Sequence, residues 1–262
     1  MWMQILQAAG LPVLGDAFPS HWGESIREAN ARGFYESKLR KGIFYLTNPD
    51  PKTGAFFPPA QTRRHAVKVF VPGLIRSDLA FLDRVLVSMR HWREYGPSLS
   101  RLYALEDAFL THKRAAEPED PRWKTQRTPL PPAIEWWFDN YDLVRDAATR
   151  RYPLHLVTYD RLLRDPEAVL DDVLPWVGGG DRDAALAAIE PSARTQSDRS
   201  GGDDGVDAES AAVFDELFAL CDAGKPLPSR FLELMNTTQA RLDERYRPSA
   251  TNERDDPRQE PA

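Results

Sequence analysis

The sequence places candidate anion-binding side chains directly after a predicted strand. Residues 84–88 form a short β-branched run, and Arg90 follows it. Because ligands of open parallel sheets bind beyond the carboxyl ends of the strands, Arg90 lies where a phosphate group would be bound. Ser98 falls in the second turn of the next predicted helix, close enough to share an anionic group with Arg90. The alternative for Arg90 is a structural ion pair.

Glu36 and His21 are the candidate proton acceptors. Glu36 begins a predicted helix over residues 36–46, where its carboxylate serves either as a general base or as a charge that complements the helix N-terminus. His21 lies in a predicted surface loop over residues 13–35 and is the second candidate base. The other four histidines have no Cys or carboxylate at ligand spacing, so no metal site is predicted.

These side chains depend on a sheet and on the helices that cover it. Apolar runs over 66–71, 84–88 and 154–159 predict short strands. Helical periodicity predicts helices over residues 1–9, 36–46, 93–114, 133–151, 165–177, 208–220 and 229–245. Strands separated by helices indicate an α/β fold with a parallel sheet.

Composition narrows the class of protein. No linker divides residues 1–247, which we expect to form one domain, and the charged, Pro-containing residues 248–262 are expected to be a disordered tail.

The net charge of −6 argues against a nucleic-acid partner, although Arg outnumbers Lys 27 to 7 and guanidinium groups suit phosphate or sulfate. No apolar run approaches the ~20 residues of a membrane span. The single cysteine, Cys221, and the lack of a signal peptide favour a cytoplasmic protein.

A family resemblance appears in residues 154–178, which read LHLVTYDRLLRDPEAVLDDVLPWVG. This stretch resembles one of the most recognisable signatures of the sulfotransferases that use 3'-phosphoadenosine-5'-phosphosulfate. Residues 3–16 and 32–36 are similar to the opening of bacterial members, and residues 84–98 resemble the element that binds the 3'-phosphate of the donor. The resemblance covers residues 1–195 and implies a P-loop-like parallel sheet flanked by helices.

The resemblance also implies roles for individual residues. Arg90 and Ser98 would bind the 3'-phosphate of the donor, which is a co-substrate, and Tyr159 would lie near the adenine unless it only caps the following helix. Lys68, in Lys-Val-Phe-Val-Pro, is similar to a family lysine that neutralises charge on the bridging oxygen. Phe70 replaces the histidine that acts as base in cytosolic members, so the base must come from elsewhere, and Glu36 is the candidate.

The chain departs from the family pattern at two places. The strand and the Gly/Ser/Thr loop that cradle the 5'-phosphosulfate would precede Met1 and are missing from this sequence. We therefore expect the 262-residue chain to be poorly stable or self-associating and to transfer sulfuryl groups undetectably, and a form extended by ~15–25 residues to bind the donor. The Gly-rich donor-binding segment near the C-terminus is not recognisable, but Arg194 and Arg199 are candidate phosphate contacts.

Three functions follow from these observations. The first is a sulfotransferase that moves a sulfuryl group to a hydroxyl or amine of a small molecule, glycan or lipid. The second is a degenerate, non-catalytic relative that acts as a binding protein, with residues 136–138 (Trp, Trp, Phe) as its contact surface. The third is another P-loop transferase such as a small-molecule kinase, which the signature in residues 154–178 disfavours. Aromatic residues either line an apolar acceptor site or pack in the core. The oligomeric state is left open, a homodimer included.

Overall fold

A computed structural model describes residues 1–18, 32–116, 130–194, 199 and 205–247 of the chain. His21 and the predicted tail over 248–262 lie outside these residues.

The described residues form a mixed α/β fold with two small parallel sheets. Strands β1 (Val13–Leu14) and β2 (Ala66–Val67) pair in one, and strands β3 (Val85–Met89) and β4 (Leu154–Thr158) pair in the other. The two pairs are not hydrogen-bonded to each other within the described residues. The strands are parallel, as the sequence predicts, and β3 and β4 lie within one residue of their predicted bounds. The single sheet expected from three strands is instead two pairs, and β1 lies in the stretch predicted as a loop.

Ten α-helices surround these strands in the described part of the chain. They are α1 (Trp2–Ala8), α2 (Pro59–Thr62), α3 (Val71–Arg76), α4 (Trp92–Ala116), α5 (Pro132–Arg150), α6 (Tyr159–Arg164), α7 (Pro166–Val177), α8 (Arg182–Ala187), α9 (Ala208–Asp222) and α10 (Ser229–Tyr246). Short 3₁₀ turns occur at Lys38–Lys41, Leu79–Phe81 and Pro191–Ala193. Within the described ranges, no helix is both long and apolar enough to cross a membrane.

The largest core cluster joins the two C-terminal helices to α4 and α5. The rings of Trp137 and Phe214 stack with centroids 4.8 Å apart, and Trp92 meets the edge of Phe214 at 5.7 Å. Trp136, Trp137 and Phe138 are all buried in this cluster. The prediction that residues 136–138 form a contact surface is therefore wrong, because their side chains provide the apolar area that holds the helices together.

The predicted helix over residues 36–46 is also wrong, since only the 3₁₀ turn at Lys38–Lys41 forms there. Gly42 ends the turn with φ +105°, and a Cβ atom at this position would lie 2.3 Å from the carbonyl oxygen of Gly73. The backbone passes too close to α3 for any side chain, so the chain turns away instead of continuing as a helix. The predicted strand over residues 66–71 is shortened to two residues because α3 begins at Val71.

Candidate functional site

Glu36 forms the centre of a small group of charged side chains. Its carboxylate is buried and accepts a hydrogen bond from Lys68 Nζ at Oε1 (2.7 Å) and one from Arg40 Nη1 at Oε2 (2.6 Å). Glu36 therefore lies beside Lys68, as a shared site requires, although the two residues are 32 positions apart in sequence. Each carboxylate oxygen retains a second lone pair that can accept a hydrogen bond from a ligand hydroxyl.

Local backbone geometry fixes the position of Glu36. Its main chain forms an isolated antiparallel bridge with Asp16. Gly15 precedes this bridge with φ +129°, and a Cβ atom there would lie 2.8 Å from the carbonyl oxygen of Tyr35. Only glycine allows the two segments to approach so closely. Lys68 follows β2 directly, so one end of the first strand pair carries the ammonium group.

Two aromatic rings border the ammonium group of Lys68. Its Nζ atom lies 5.6 Å from the ring centroid of Phe34 and 5.5 Å from that of Phe70. Both distances fall within cation–π range. The ring of Phe70 therefore lies against the lysine at the position where the similar family motif has its histidine.

The Met1 amine connects Lys68 to Arg90. Burial, followed by the charges of Lys68, Arg32 and Arg90, lowers the pKa of this amine to about 6. The amine therefore lies within electrostatic range of both Lys68 and Arg90. We call Glu36, Lys68, Arg40 and Arg90 the Lys68 cluster. It brings together three of the residues predicted from sequence, namely Glu36, Lys68 and Arg90.

Arg90 follows β3, as predicted, and its backbone is held by the core. The indole Nε1 of Trp136 donates a hydrogen bond to the carbonyl oxygen of Arg90 (2.8 Å). The guanidinium carbon lies 5.1 Å from the ring centroid of Tyr159, at the start of α6. In the described part of the chain, Arg90 forms no ion pair. Its charge is therefore not balanced by a carboxylate there.

Ser98 lies in the second turn of a helix, as predicted, while Tyr159 begins α6 instead of ending the strand predicted over residues 154–159. Tyr159 is buried, which raises the pKa of its hydroxyl, while the charges of Arg90 and Arg194 oppose that shift. Ser98 is half-buried in the second turn of α4. No hydrogen bond joins Ser98 to Arg90 among the residues described. The phosphate contact predicted for this pair stays a prediction.

Arg194 and Arg199 belong to a second group, which we call the Glu94 network. The Oε1 atom of Glu94 accepts a hydrogen bond from Arg194 Nη2 (2.6 Å) and one from Arg199 Nε (2.7 Å). Asp160 pairs with both arginines, at 2.9 Å from Arg194. Glu94 is 0% exposed, so its charge depends on these partners. The predicted phosphate contacts of the two arginines stay untested, and a phosphate group would have to displace these carboxylates.

His91 and Asp215 extend the Glu94 network toward α9. The Nδ1 atom of His91 accepts a hydrogen bond from the backbone N–H of Arg93 (3.2 Å), which leaves the proton on Nε2, 3.4 Å from Asp215 Oδ1. Burial, followed by the charge of Arg199, lowers the pKa of His91 to about 4. The imidazole is therefore neutral at pH 7.

Sequence reasoning missed Arg40, Glu94, Asp160 and Asp215. Arg40 could have been found, because it stands four residues after Glu36, the spacing of a helical ion pair. Glu94 and Arg194 are a hundred residues apart, and no local pattern joins them. The described ranges contain no group of three or more His, Cys, Asp or Glu side chains that could hold a metal ion.

No model of a protein family, no curated protein and no solved structure matches this chain.

Proposed function

We propose that this chain is a sulfotransferase that moves a sulfuryl group from 3'-phosphoadenosine-5'-phosphosulfate to a hydroxyl or amine of a small molecule, glycan or lipid. The observation that supports it most is the Lys68 cluster. In this cluster the buried carboxylate of Glu36 contacts Lys68. Arg90, which has no carboxylate partner among the described residues, acts together with Lys68 on the pKa of the Met1 amine. A proton acceptor and fixed positive charge are the two things that sulfuryl transfer to a hydroxyl needs. The proposal includes a P-loop-like arrangement of the parallel strands.

The Lys68 cluster fits an anionic co-substrate. Arg90 has no carboxylate partner within the described ranges, and the pKa of the Met1 amine is lowered by burial and then by the charges of Lys68, Arg32 and Arg90. A polyanion placed among these groups would supply the missing negative charge. Arg90, with Ser98, binds the 3'-phosphate in this proposal, and the ring of Tyr159 lies beside the adenine.

Glu36 and Lys68 divide the chemical work in this proposal. The acceptor hydroxyl donates its proton to Glu36 as its oxygen forms a bond to sulfur. The bond between sulfur and the bridging oxygen breaks, and 3'-phosphoadenosine 5'-phosphate leaves with the electron pair. Lys68 stabilises the charge that develops on the bridging oxygen. His21, outside the described residues, is the second candidate base.

The second candidate function is a non-catalytic binding protein. Both oxygens of Glu36 already accept hydrogen bonds from cations, and Arg194 and Arg199 are occupied by Glu94 and Asp160. These pairs are the observation that favours it. We place either protein in the cytoplasm, since a chain with a single cysteine has no disulfide framework of the kind that secreted proteins use.

Calorimetry with two nucleotides tests the proposal. Adenosine 5'-phosphate lacks the 3'-phosphate, so the wild-type chain should bind 3'-phosphoadenosine 5'-phosphate more tightly by about 1.5–3 kcal/mol. Arg90→Ala should abolish this preference. Arg84→Ala is the matched control, because Arg84 is an exposed residue just before β3 and already pairs with Asp83. Equal affinities of the wild-type chain for the two nucleotides would contradict the donor site.

A further inference from the structure

Large apolar side chains are exposed in one part of the chain. Among the described residues, six large hydrophobic side chains are more than a third exposed, and five of these lie between residues 45 and 79. Four of the five are Tyr45 (80% exposed), Leu46 (60%), Phe56 (57%) and Leu79 (46%). Scattered exposed apolar residues are ordinary, but a concentration of this kind marks a surface that contacts something.

The segments that carry these four side chains are bonded to one another. The backbone N–H of Asp78 donates a hydrogen bond to the carbonyl oxygen of Ile43 (3.1 Å), which joins the 3₁₀ turn of Leu79 to the segment of Tyr45 and Leu46. Asn48 forms two side-chain hydrogen bonds to the backbone of Phe57, at 2.8 and 2.7 Å. The rings of Phe56 and Phe81 meet edge to face at 6.5 Å. The segments that carry the four exposed side chains are therefore neighbours in the fold.

The same part of the chain is strongly basic. Residues 38–84 contain nine Lys or Arg and three Asp or Glu, a net charge of +6 in a chain whose total is −6. Five of these cations are exposed and form no ion pair within the described residues. They are Lys41, Lys52, Arg63, Arg64 and Arg76. Together with Tyr45, Leu46, Phe56 and Leu79 they form what we call the basic apolar face.

The three carboxylates of this stretch are already engaged. Asp50 is buried and accepts hydrogen bonds from the backbone N–H groups of Lys52 and Thr53. Asp78 caps the following 3₁₀ turn by accepting from the N–H of Ala80, and Asp83 pairs with Arg84. Within the described residues, the five exposed cations of the face therefore have no carboxylate partner.

We propose that the basic apolar face docks on a membrane surface that contains anionic lipids. Side chains such as Tyr45, Leu46 and Phe56 enter the boundary between headgroups and acyl chains, while Lys and Arg attract the anionic headgroups. The residues outside 38–84 carry a net charge of −12, so the positive charge of the chain is concentrated in this stretch, which an anionic surface attracts. Leu46 and Leu79 favour lipid over nucleic acid, because leucine does not stack on bases. This inference does not depend on the proposed sulfuryl transfer.

Flotation with lipid vesicles tests this docking on the full chain. The wild-type chain should float with phosphatidylcholine vesicles that contain about one third phosphatidylglycerol and should not float with pure phosphatidylcholine. Raising the salt concentration should release it, because the attraction of exposed charges is screened. Failure to float with the anionic vesicles, or equal flotation with both kinds, would overturn the proposal.

Two double variants separate the contributions of the face. Leu46→Ser with Phe56→Ser, and Arg63→Ser with Arg64→Ser, should each weaken vesicle binding by about tenfold or more. The matched controls are Leu232→Ser and Arg230→Ser, which change exposed residues of α10, and both should bind like the wild type. Thermal melting of each variant checks that it is folded. Wild-type binding by both double variants would overturn the proposal.

A single-stranded DNA oligonucleotide serves as the competing probe. Lipid docking predicts no binding of the oligonucleotide at a salt concentration where the anionic vesicles are bound. Tight binding of the oligonucleotide without binding to vesicles would identify nucleic acid, and not lipid, as the partner of this face and would overturn the proposal.

Discussion

Arg90 of the Lys68 cluster and Arg194 of the Glu94 network both act on the pKa of Tyr159, yet the charges of these two arginines are balanced in different ways. Arg90 is free of carboxylates in the described part of the chain, while Arg194 and Arg199 share Glu94 and Asp160. An arginine near a site is therefore not by itself an anion-binding residue. The position of the nearest carboxylate decides whether its charge remains for a ligand.

The largest expected effect is at the carboxylate of the Lys68 cluster. In a form of the chain that transfers sulfuryl groups at a measurable rate, Glu36→Gln should lower that rate by roughly 10²–10⁴-fold, because an amide cannot accept the hydroxyl proton. Its affinity for 3'-phosphoadenosine 5'-phosphate should hardly change. Initial rates with a panel of phenols and sugars measure the first quantity and calorimetry the second.

Glu233→Gln is the control for this prediction, since Glu233 is an exposed residue of α10. A Glu36→Gln variant that keeps its full rate would move the role of base to His21 or another group.

In the Glu94 network, the corresponding change from Glu to Gln should lower the stability of the fold. Glu94→Gln leaves two arginines without the carboxylate that they share, and we expect it to lower the free energy of unfolding by about 3 kcal/mol. Urea denaturation measures this loss. Glu209→Gln breaks an exposed pair with Arg241 and should cost less than about 1 kcal/mol. Equal effects of the two variants would show that the network is not structural.

The two groups of side chains also show which parts of this structure could be predicted from the sequence. The strands β3 and β4 and the long helices were predicted nearly to the residue, because hydrophobic periodicity is a local property. The helix over residues 36–46 failed because Gly42 contacts Gly73, a neighbour in space that the local pattern does not show. Arg90 could be predicted from its place after a strand, whereas Lys68 was chosen from the family resemblance and was placed inside the strand predicted over residues 66–71. The pairing of Arg194 and Arg199 with Glu94 could not, because it joins segments a hundred residues apart.

Acid should weaken the Glu94 network through His91. The pKa of His91 is about 4 in the folded chain, below the usual value for an exposed histidine, so between these values the unfolded chain binds more protons. Stability should therefore fall as the pH decreases from about 6.5 to 4, by about 2 kcal/mol from this residue. Urea midpoints of wild type and His91→Gln across this range give the contribution by difference. A constant difference would show that His91 does not titrate there.

The smallest expected effect is at Ser98. Ser98→Ala should weaken the binding of 3'-phosphoadenosine 5'-phosphate by about 1 kcal/mol, less than Arg90→Ala, because a neutral hydroxyl forms a weaker hydrogen bond to phosphate than a guanidinium does. Calorimetry measures the difference. Ser100→Ala is the control, because Ser100 is an exposed residue two positions further along the same helix. A larger loss in Ser98→Ala than in Arg90→Ala would reverse their assigned roles.

One titration series compares the two arginine groups directly. The wild-type chain, Arg90→Ala and Arg199→Ala are each titrated with 3'-phosphoadenosine 5'-phosphate in a calorimeter. Our account predicts that Arg90→Ala weakens binding by about 10- to 150-fold, because it removes the unpaired cation. It predicts that Arg199→Ala, whose charge is already balanced, keeps an affinity within about threefold of the wild type. Loss of affinity in Arg199→Ala with wild-type binding in Arg90→Ala would contradict the account.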